Sequence, residues 1–286
     1  MAATLITGGG GQLASDLAAR LDDAVSFSHR ELDIADPAAL DAAFEALAPE
    51  LVLNCAAFHN LDECEAHPDR AWTVNVRAVR DLALRCACHG AKLVHVSTNY
   101  VFDGRRAEPY AEHDLPAPRS AYALTKLAGE HAALAYAPGA IVVRSGGLYG
   151  MAGSASKGGN FVQRMLARAR EQGALRMVAD QRLQPTFTVD LADAIVAAAE
   201  RDAAGILHLT ASDACSWHEF TVAIMDCAGV EVPVEPVVTR IGPDGIDRPL
   251  NGVLARPAAD AAGLAPLRPW HAQLRDYLER SGVGVA

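Results

Sequence analysis

Short apolar runs alternate with longer segments of helical spacing through the first half of the chain. Five runs rich in Val, Leu and Ile predict buried strands at residues 3–7, 24–28, 51–54, 92–97 and 140–144. Between them, recurring alanine and leucine predict helices at residues 12–21, 37–47, 69–89 and 120–136. Because buried strands joined by helices form parallel βαβ units, we predict an α/β fold with a doubly wound parallel sheet of the Rossmann type.

The pattern loosens beyond Gly150, where small and polar residues and then scattered prolines replace the regular alternation. We therefore predict a dinucleotide-binding domain at residues 1–149 and a smaller, interleaved C-terminal substrate lobe at residues 150–286. Residues 186–210 contain one more helix and one more buried strand of the first kind, so they are expected to complete the sheet domain. Trp217 and Trp270 each begin a helix-like run and are expected in the core of the lobe.

Composition excludes several classes of protein. A net charge of -10 opposes a nucleic-acid surface, and charged residues interrupt every apolar run before it reaches the length of a membrane span. The first predicted strand begins almost at Met1, which leaves no room for a signal peptide, so a cytoplasmic location is expected. Six cysteines without a Cys-x-x-Cys pair predict reduced thiols and no metal site.

A glycine-rich turn follows the first predicted strand. Gly8, Gly11 and Ala14 fit the spacing G-x-x-G-x-x-A, which lets a pyrophosphate approach the backbone ahead of a helix. In isolation the string fits a tight turn equally well, but the βαβ context favours a dinucleotide. The predicted cofactor contacts in this turn are Gly8, Gly10, Gly11, Gln12 and Leu13.

The residues after the second predicted strand bear on cofactor choice. NAD-binding sites commonly place a carboxylate there, whereas this chain has His29 and Arg30. A guanidinium suits a 2′-phosphate, so NADPH is the preferred cofactor and NADH is the alternative. Asp33 is expected to border the adenine. A solvated arginine and an ordinary aspartate ahead of a helix are the competing interpretations.

Tyr122 and Lys126 lie four residues apart on a predicted helix and therefore project from one face. A nearby ammonium stabilises phenolate, so we expect it to lower the tyrosine pKa and to favour proton exchange with a substrate oxygen. Thr98 follows a buried strand and is expected to hydrogen-bond a carbonyl oxygen, with capping of the next turn as the alternative. His95 lies within that strand and is expected to be a core histidine.

These motifs resemble the extended short-chain dehydrogenase/reductases, and most closely the dTDP-4-dehydrorhamnose reductase group. The resemblance runs nearly end to end. Its matching segments are residues 7–14, 32–34, 54–57, 62–65, 75–76, 97–104, 122–130, 144–150, 160–161, 180–181, 184–186, 205–210, 216–217, 219–220 and 248–254.

The resemblance implies hydride delivery from the cofactor to C4 of a dTDP-4-keto-6-deoxyhexose. Tyr122 would supply the proton, Thr98 would polarise the carbonyl, and Lys126 would assist the tyrosine and hold a ribose hydroxyl. The resemblance also implies a nucleotide-sugar substrate and is compatible with a homodimer. The further cofactor contacts are Ala56, Ala57, Asn75 and Ser97, and the substrate contacts are Asn99, Tyr100, Asn160 and Arg248.

Two departures leave the sugar and its nucleotide open. Asn99 replaces the aspartate that follows the threonine in the family, and Gly147 replaces a tryptophan, which should widen the sugar site or leave its packing to other residues. A 4,6-dehydratase is disfavoured because Asn99-Tyr100 cannot supply its acid pair. A sugar-nucleotide epimerase and a noncatalytic regulatory subunit, like that of methionine adenosyltransferase, remain alternatives.

Overall fold

A six-stranded parallel sheet forms the centre of the computed structural model, which describes residues 3–153, 158–240 and 246–283. Its strand order is β10-β5-β4-β3-β1-β2, so the predicted doubly wound sheet is confirmed, and its outer strand β10 comes from late in the chain. The strands are β1 (Thr4–Thr7), β2 (Ala24–Phe27), β3 (Leu51–Asn54), β4 (Lys92–Thr98), β5 (Ile141–Ser145), β6 (Leu148–Tyr149), β7 (Leu175–Val178), β8 (Arg182–Leu183), β9 (Thr186–Phe187), β10 (Gly205–His208), β11 (Cys215–Ser216) and β12 (Val234–Val237).

Local signals fix where several helices begin. Asp36 caps α2 ahead of a proline in its first turn, Ser120 caps α6, and Ser216 with Glu219 forms a capping box on α9. The helices are α1 (Gln12–Ala18), α2 (Pro37–Leu47), α3 (Leu61–Ala66), α4 (Pro68–Trp72), α5 (Ala78–His89), α6 (Ala121–Tyr136), α7 (Phe161–Gln172), α8 (Thr188–Glu200), α9 (Trp217–Cys227), α10 (Pro257–Ala261) and α11 (Trp270–Arg280).

The single helix predicted at residues 69–89 is wrong in one respect. The chain instead forms α4, a π-helical turn at Thr73–Arg77, and then α5. A π turn inserts one residue into the helical repeat and is frequent at functional sites. Here it carries Asn75, which is buried.

Alternate residues of each strand pack against opposite helical layers. On one face, Ile6 and Val94 pack with α1, α8 and α10, whereas on the other Leu5 and Leu93 pack with α2, α5 and α6. The strand order reverses between β1 and β3, and the loops that follow these strands separate there. In open α/β sheets this position, outside the carboxyl ends of the strands, is where ligands bind.

The smaller lobe has its own apolar core, built from α7, α9, α11 and short strand pairs. Tyr149, Phe187, Phe220, Trp270 and Tyr277 stack and tilt against one another within it. Trp270 is buried as expected, whereas Trp217 is only partly buried and lines a cavity. Among the described helices, none is both long and apolar enough to cross a membrane.

Candidate active site

The glycine turn after β1 is held close to two neighbouring strands. The Gly9 amide donates to the Phe27 carbonyl at 2.7 Å, and an ideal Cβ on Gly8 would lie 2.7 Å from the Ala56 amide nitrogen. Gly8 and Gly10 have φ values of +75° and +78°, a region that disfavours side chains. No described atom lies within 4 Å of an ideal Cβ on Gly10, so the backbone there is open to a close ligand.

The different surroundings of Gly8 and Gly10 give a stability prediction. Alanine at Gly8 or Gly10 meets a similar left-handed strain of about 1–2 kcal/mol. At Gly8 it must also displace the backbone at Ala56, so Gly8→Ala should lower the free energy of unfolding by about 1–3 kcal/mol more than Gly10→Ala. Chemical denaturation without added nucleotide measures both, and equal losses would contradict the close approach.

Several predicted cofactor residues line this edge of the sheet. Ala56 lies against Gly8, and Ala57 follows it in the same loop. Asn75 anchors that loop, because its side chain accepts from the Phe58 amide and donates to the Phe58 carbonyl, each at 2.9 Å, and also donates to Thr125. The π-helical turn thus places the Asn75 side chain against the loop that contains Phe58.

Two residues of the glycine motif use their side chains within the protein. Leu13 packs into the core, and Gln12 Oε1 accepts from the Gly150 amide at 2.7 Å. Gln12 therefore joins the glycine turn to the start of the lobe. Gly11 is the N-cap of α1, and its backbone is extended.

His29 and Arg30 are exposed beyond the end of β2. The ring of His29 lies 3.7 Å from the Asp33 carboxylate, whose oxygen also accepts from the Ala35 amide. Glu31 was not among the predicted residues. Its carboxylate accepts hydrogen bonds from the amide and hydroxyl of Ser28 at 2.8 and 2.7 Å. These hydrogen bonds lower the pKa of Glu31 and hold its carboxylate against the strand end.

Thr98 and Tyr122 meet at the carboxyl edge of the sheet. Thr98 ends β4, its side chain lies close enough to the Tyr122 hydroxyl to lower the pKa of that group, and it accepts from the Tyr100 amide at 3.2 Å. Thr98 therefore caps the next turn beside the tyrosine, and its hydrogen bond to a substrate carbonyl stays a prediction. The Tyr100 ring stands edge-on to that of Tyr122, with centroids 6.1 Å apart.

The pKa of Tyr122 differs in direction from the sequence-based expectation. Desolvation raises the pKa of Tyr122 to about 12, and the Thr98 hydrogen bond opposes this only partly. The expected lowering by Lys126 is therefore wrong for this structure. Burial lowers the pKa of Lys126 to about 8, against opposing effects of Glu130 and Cys55. Near neutral pH the phenol keeps its proton and the lysine is largely charged.

Lys126 is fixed by groups on β4. Its Nζ donates to the Val96 carbonyl at 2.7 Å and lies 3.3 Å from His95 Nε2. Beneath it, Glu130 forms a bidentate ion pair with Arg144, and both side chains are 1% exposed. Ser97, predicted to contact the cofactor, donates to Glu130 at 2.5 Å. The Glu130–Arg144 pair was not predicted, although the carboxylate one helical turn after Lys126 was an available signal.

On the lobe side, a cavity of about 310 Å³ is lined in part by Arg248. The charge of Arg248 lowers the pKa of Tyr100 against the larger, opposing effect of burial. Arg248 lies 3.9 Å from Asp62 of α3 as well. The cavity is also lined by Phe161, Trp217, Gln181, Thr239 and Arg240.

Asn99 and Asn160 both have partners within the protein. Asn99 is buried and donates to the Gly252 carbonyl at 3.0 Å, which ties the end of β4 to the lobe. Asn160 caps α7 and donates to the Gly150 carbonyl and the Tyr277 hydroxyl, each at 2.8 Å. These contacts give both side chains a structural role, and their contact with substrate stays a prediction.

Gly147, where the family has tryptophan, is not beside open space. An ideal Cβ there would lie 2.9 Å from Leu183 and 3.1 Å from Pro185. These residues supply the packing, so the structure favours the second of the two expectations for this departure. In the part of the chain that the structure describes, no group of three or more His, Cys, Asp and Glu side chains is arranged to hold a metal ion.

Comparisons with known proteins give matches that run nearly the full length of the chain. The family model described as RmlD substrate binding domain matches residues 1–283. The spore coat polysaccharide biosynthesis protein SpsK of Bacillus subtilis is 36% identical over 99% of this chain and 99% of its own length. A probable dTDP-4,6-dihydroxy-2-methyloxan-3-one 4-ketoreductase of Streptomyces antibioticus is 38% identical over 95% of this chain and 93% of its own. The crystal structure of dTDP-4-dehydrorhamnose reductase from Bacillus anthracis in complex with NADP has a TM-score of 0.92 at 30% identity, covering 98% of this chain and 100% of that chain.

Proposed function

Because the chain belongs to the dTDP-4-dehydrorhamnose reductase family, whose members are oxidoreductases of the dTDP-sugar 4-ketoreductase type, we propose that it reduces the C4 ketone of a nucleotide-activated 4-keto-6-deoxyhexose with NADPH. The observation that carries this proposal is the placement of Thr98, at the end of β4, beside Tyr122, with buried Lys126 one helical turn further along α6. It lies at the carboxyl edge of a doubly wound sheet.

The residues around the glycine turn fit a dinucleotide. The open backbone at Gly10 admits a pyrophosphate, and exposed Arg30 and His29 are available to a 2′-phosphate. The carboxylate of Glu31 already accepts two hydrogen bonds from Ser28, and these do not direct it toward a ribose. When bound, NADPH supplies the hydride, and the protein supplies orientation and the proton.

Tyr122 is suited to give that proton. With its pKa raised to about 12, the phenol is protonated at neutral pH and can donate to the oxygen of the ketone. Thr98 is placed to hydrogen-bond the same oxygen. The charge of Lys126 then stabilises the phenolate that forms, because two opposite charges attract more strongly away from bulk water.

The cavity in the lobe fits the nucleotide of the substrate. Phe161 and Trp217 form an aromatic pair with centroids 4.3 Å apart, and such rings can stack on a base. Arg240 and Arg248 bring two guanidinium groups to the same cavity, which suits a diphosphate. Because Arg248 lines the cavity and its charge also acts on the pKa of Tyr100, the sugar would extend from the diphosphate toward Tyr122.

The direct test follows NADPH absorbance with dTDP-4-keto-6-deoxyglucose and with its 5-epimerised form. We expect one NADPH to be consumed for each ketosugar reduced. An epimerase would convert substrate without stoichiometric cofactor, and a noncatalytic regulatory subunit would convert neither substrate. Either of these two results would overturn the proposal.

Cofactor choice gives a separate prediction. Arg30→Ala should raise KM for NADPH about tenfold or more, because it removes a charge-assisted hydrogen bond to the 2′-phosphate. NADH lacks that phosphate, so its KM in the same variant serves as the internal control and should not change. Parallel increases for both cofactors would show that Arg30 does not read the phosphate.

A further inference from the structure

A buried row of polar side chains runs from the glycine turn to Lys126. Thr7 donates to Asn54 Oδ1 at 2.7 Å, Asn54 Nδ2 lies 3.0 Å from His95 Nδ1, and His95 Nε2 lies 3.3 Å from Lys126 Nζ. All four residues are at most 2% exposed. Polar groups buried this deeply are costly unless each has a partner, so the row must keep its hydrogen bonds satisfied as Lys126 gains or loses a proton.

The backbone of α6 allows His95 to reach the lysine. An ideal Cβ on Gly129 would lie 2.2 Å from the Asn75 carbonyl oxygen and 3.5 Å from His95 Nε2. Any larger residue at Gly129 would therefore meet the backbone of the π-helical turn and push α6 away from that turn. The glycine keeps α6 against the turn, and His95 Nε2 lies at ordinary contact distance from the same position.

The chemistry of the imidazole lets it serve both forms of the lysine. An ammonium donates to Nε2, in which case Nδ1 carries the ring proton and the Asn54 amide must turn so that its oxygen, in place of Nδ2, faces Nδ1. A neutral amine can instead accept from Nε2–H, while the amide nitrogen of Asn54 faces Nδ1. Thr7 can follow either orientation of the amide, because a hydroxyl both donates and accepts.

We propose that His95 is a positioning residue, which accepts a hydrogen bond from the Lys126 ammonium and thereby keeps that ammonium charged and directed at the active site. This inference rests on the proposed function, in which the charge of Lys126 stabilises the phenolate of Tyr122. The row also joins the lysine to the residue that precedes Gly8, so one set of contacts holds both the amine and the glycine turn.

The other groups that face Lys126 do not replace His95. Glu130 lies on the same helix but is already paired with Arg144, and Cys55, after β3, has a thiol whose pKa burial raises to about 12. Tyr122 is neutral at working pH. Burial and the charge of Lys126 hold the pKa of His95 well below its usual value, so its ring is neutral and can accept. His95 is thus the neutral acceptor among the side chains that face this amine.

Two amides of different length test the assignment. His95→Gln can place its amide where Nε2 was and keep the contact with Lys126, whereas His95→Asn reaches only toward Asn54. We expect the alkaline limb of the kcat–pH profile for ketosugar reduction to move down by about one to two pH units in His95→Asn, the size expected for losing a hydrogen bond to a charged group. His95→Gln should follow the wild-type profile.

Equal shifts in both variants would indicate a general packing role, and no shift in either would show that His95 does not act on Lys126; both results overturn the proposal. If His95→Asn does not fold, Asn54→Ala provides the second test, because it frees the far side of the ring. It should shift the limb in the same direction by less, and an unchanged profile would again overturn the proposal.

A readout independent of turnover separates this inference from the proposed function. The chain has three lysines, at positions 92, 126 and 157, so their 13Cε signals can be assigned and titrated by NMR. The Lys126 midpoint should fall in His95→Asn and stay in His95→Gln even if no ketosugar is reduced. If the Lys126 midpoint does not move while the wild-type protein reduces ketosugar normally, the role of His95 alone is contradicted.

Discussion

Tyr122→Phe is expected to lower kcat for ketosugar reduction by roughly 10²–10⁴-fold, the usual contribution of a positioned general acid. The change removes only the hydroxyl that Thr98 contacts and leaves the ring against Tyr100. KM for NADPH should change little, because the ring and Lys126 stay in place. Stopped-flow absorbance of NADPH under saturating substrate measures the step.

Tyr136→Phe is the matched control. Tyr136 ends the same helix, is 44% exposed, and lies apart from the residues assigned to the site. It should reduce ketosugar at the wild-type rate. Wild-type rates in both variants would remove Tyr122 as the proton donor, whereas equal losses in both would point to a general effect on the helix.

Glu130→Gln is expected to lower the free energy of unfolding by about 3–5 kcal/mol, because it leaves the charge of Arg144 buried without a counterion. The glutamine keeps the size and much of the hydrogen bonding of the side chain, so the effect reports charge. Arg144 has little other support, since its Nη1 lacks a hydrogen-bond partner among the described residues. Urea denaturation measures the loss.

Glu235→Gln provides the comparison for that ion pair. Glu235 pairs with Arg176 on the surface of the lobe, where the two side chains are 63% and 71% exposed. Water already solvates both charges, so unfolding should be nearly unchanged. Similar small losses at Glu130 and Glu235 would mean that the buried guanidinium finds another way to be stabilised.

The sheet could be predicted from sequence because each strand is a short apolar run in a regular alternation. The break in the helix at residues 69–89 could not, since no glycine or proline marks the π turn and helix-forming residues lie on both sides of it. Its cause is tertiary, because Asn75 must meet both the loop at Phe58 and Thr125 of α6.

The candidate catalytic residues could be named from the sequence, but their electrostatics could not. Sequence spacing places Tyr122 and Lys126 on one face, yet it does not reveal that desolvation outweighs the ammonium at the phenol. The Glu130–Arg144 pair and the cavity beside Arg248 depend on residues far apart in the chain. Such long-range contacts follow from the assembled fold and leave little trace in local patterns.

The late arrival of β10 has a consequence for biosynthesis. Until residues 205–208 leave the ribosome, β5 is the outer strand of the sheet, and its five residues are all buried in the finished protein. An unpaired apolar edge is a template for association with other chains. A premature stop between these two strands should therefore yield aggregates, and chaperones that shield strand edges should bind the nascent polypeptide during that interval.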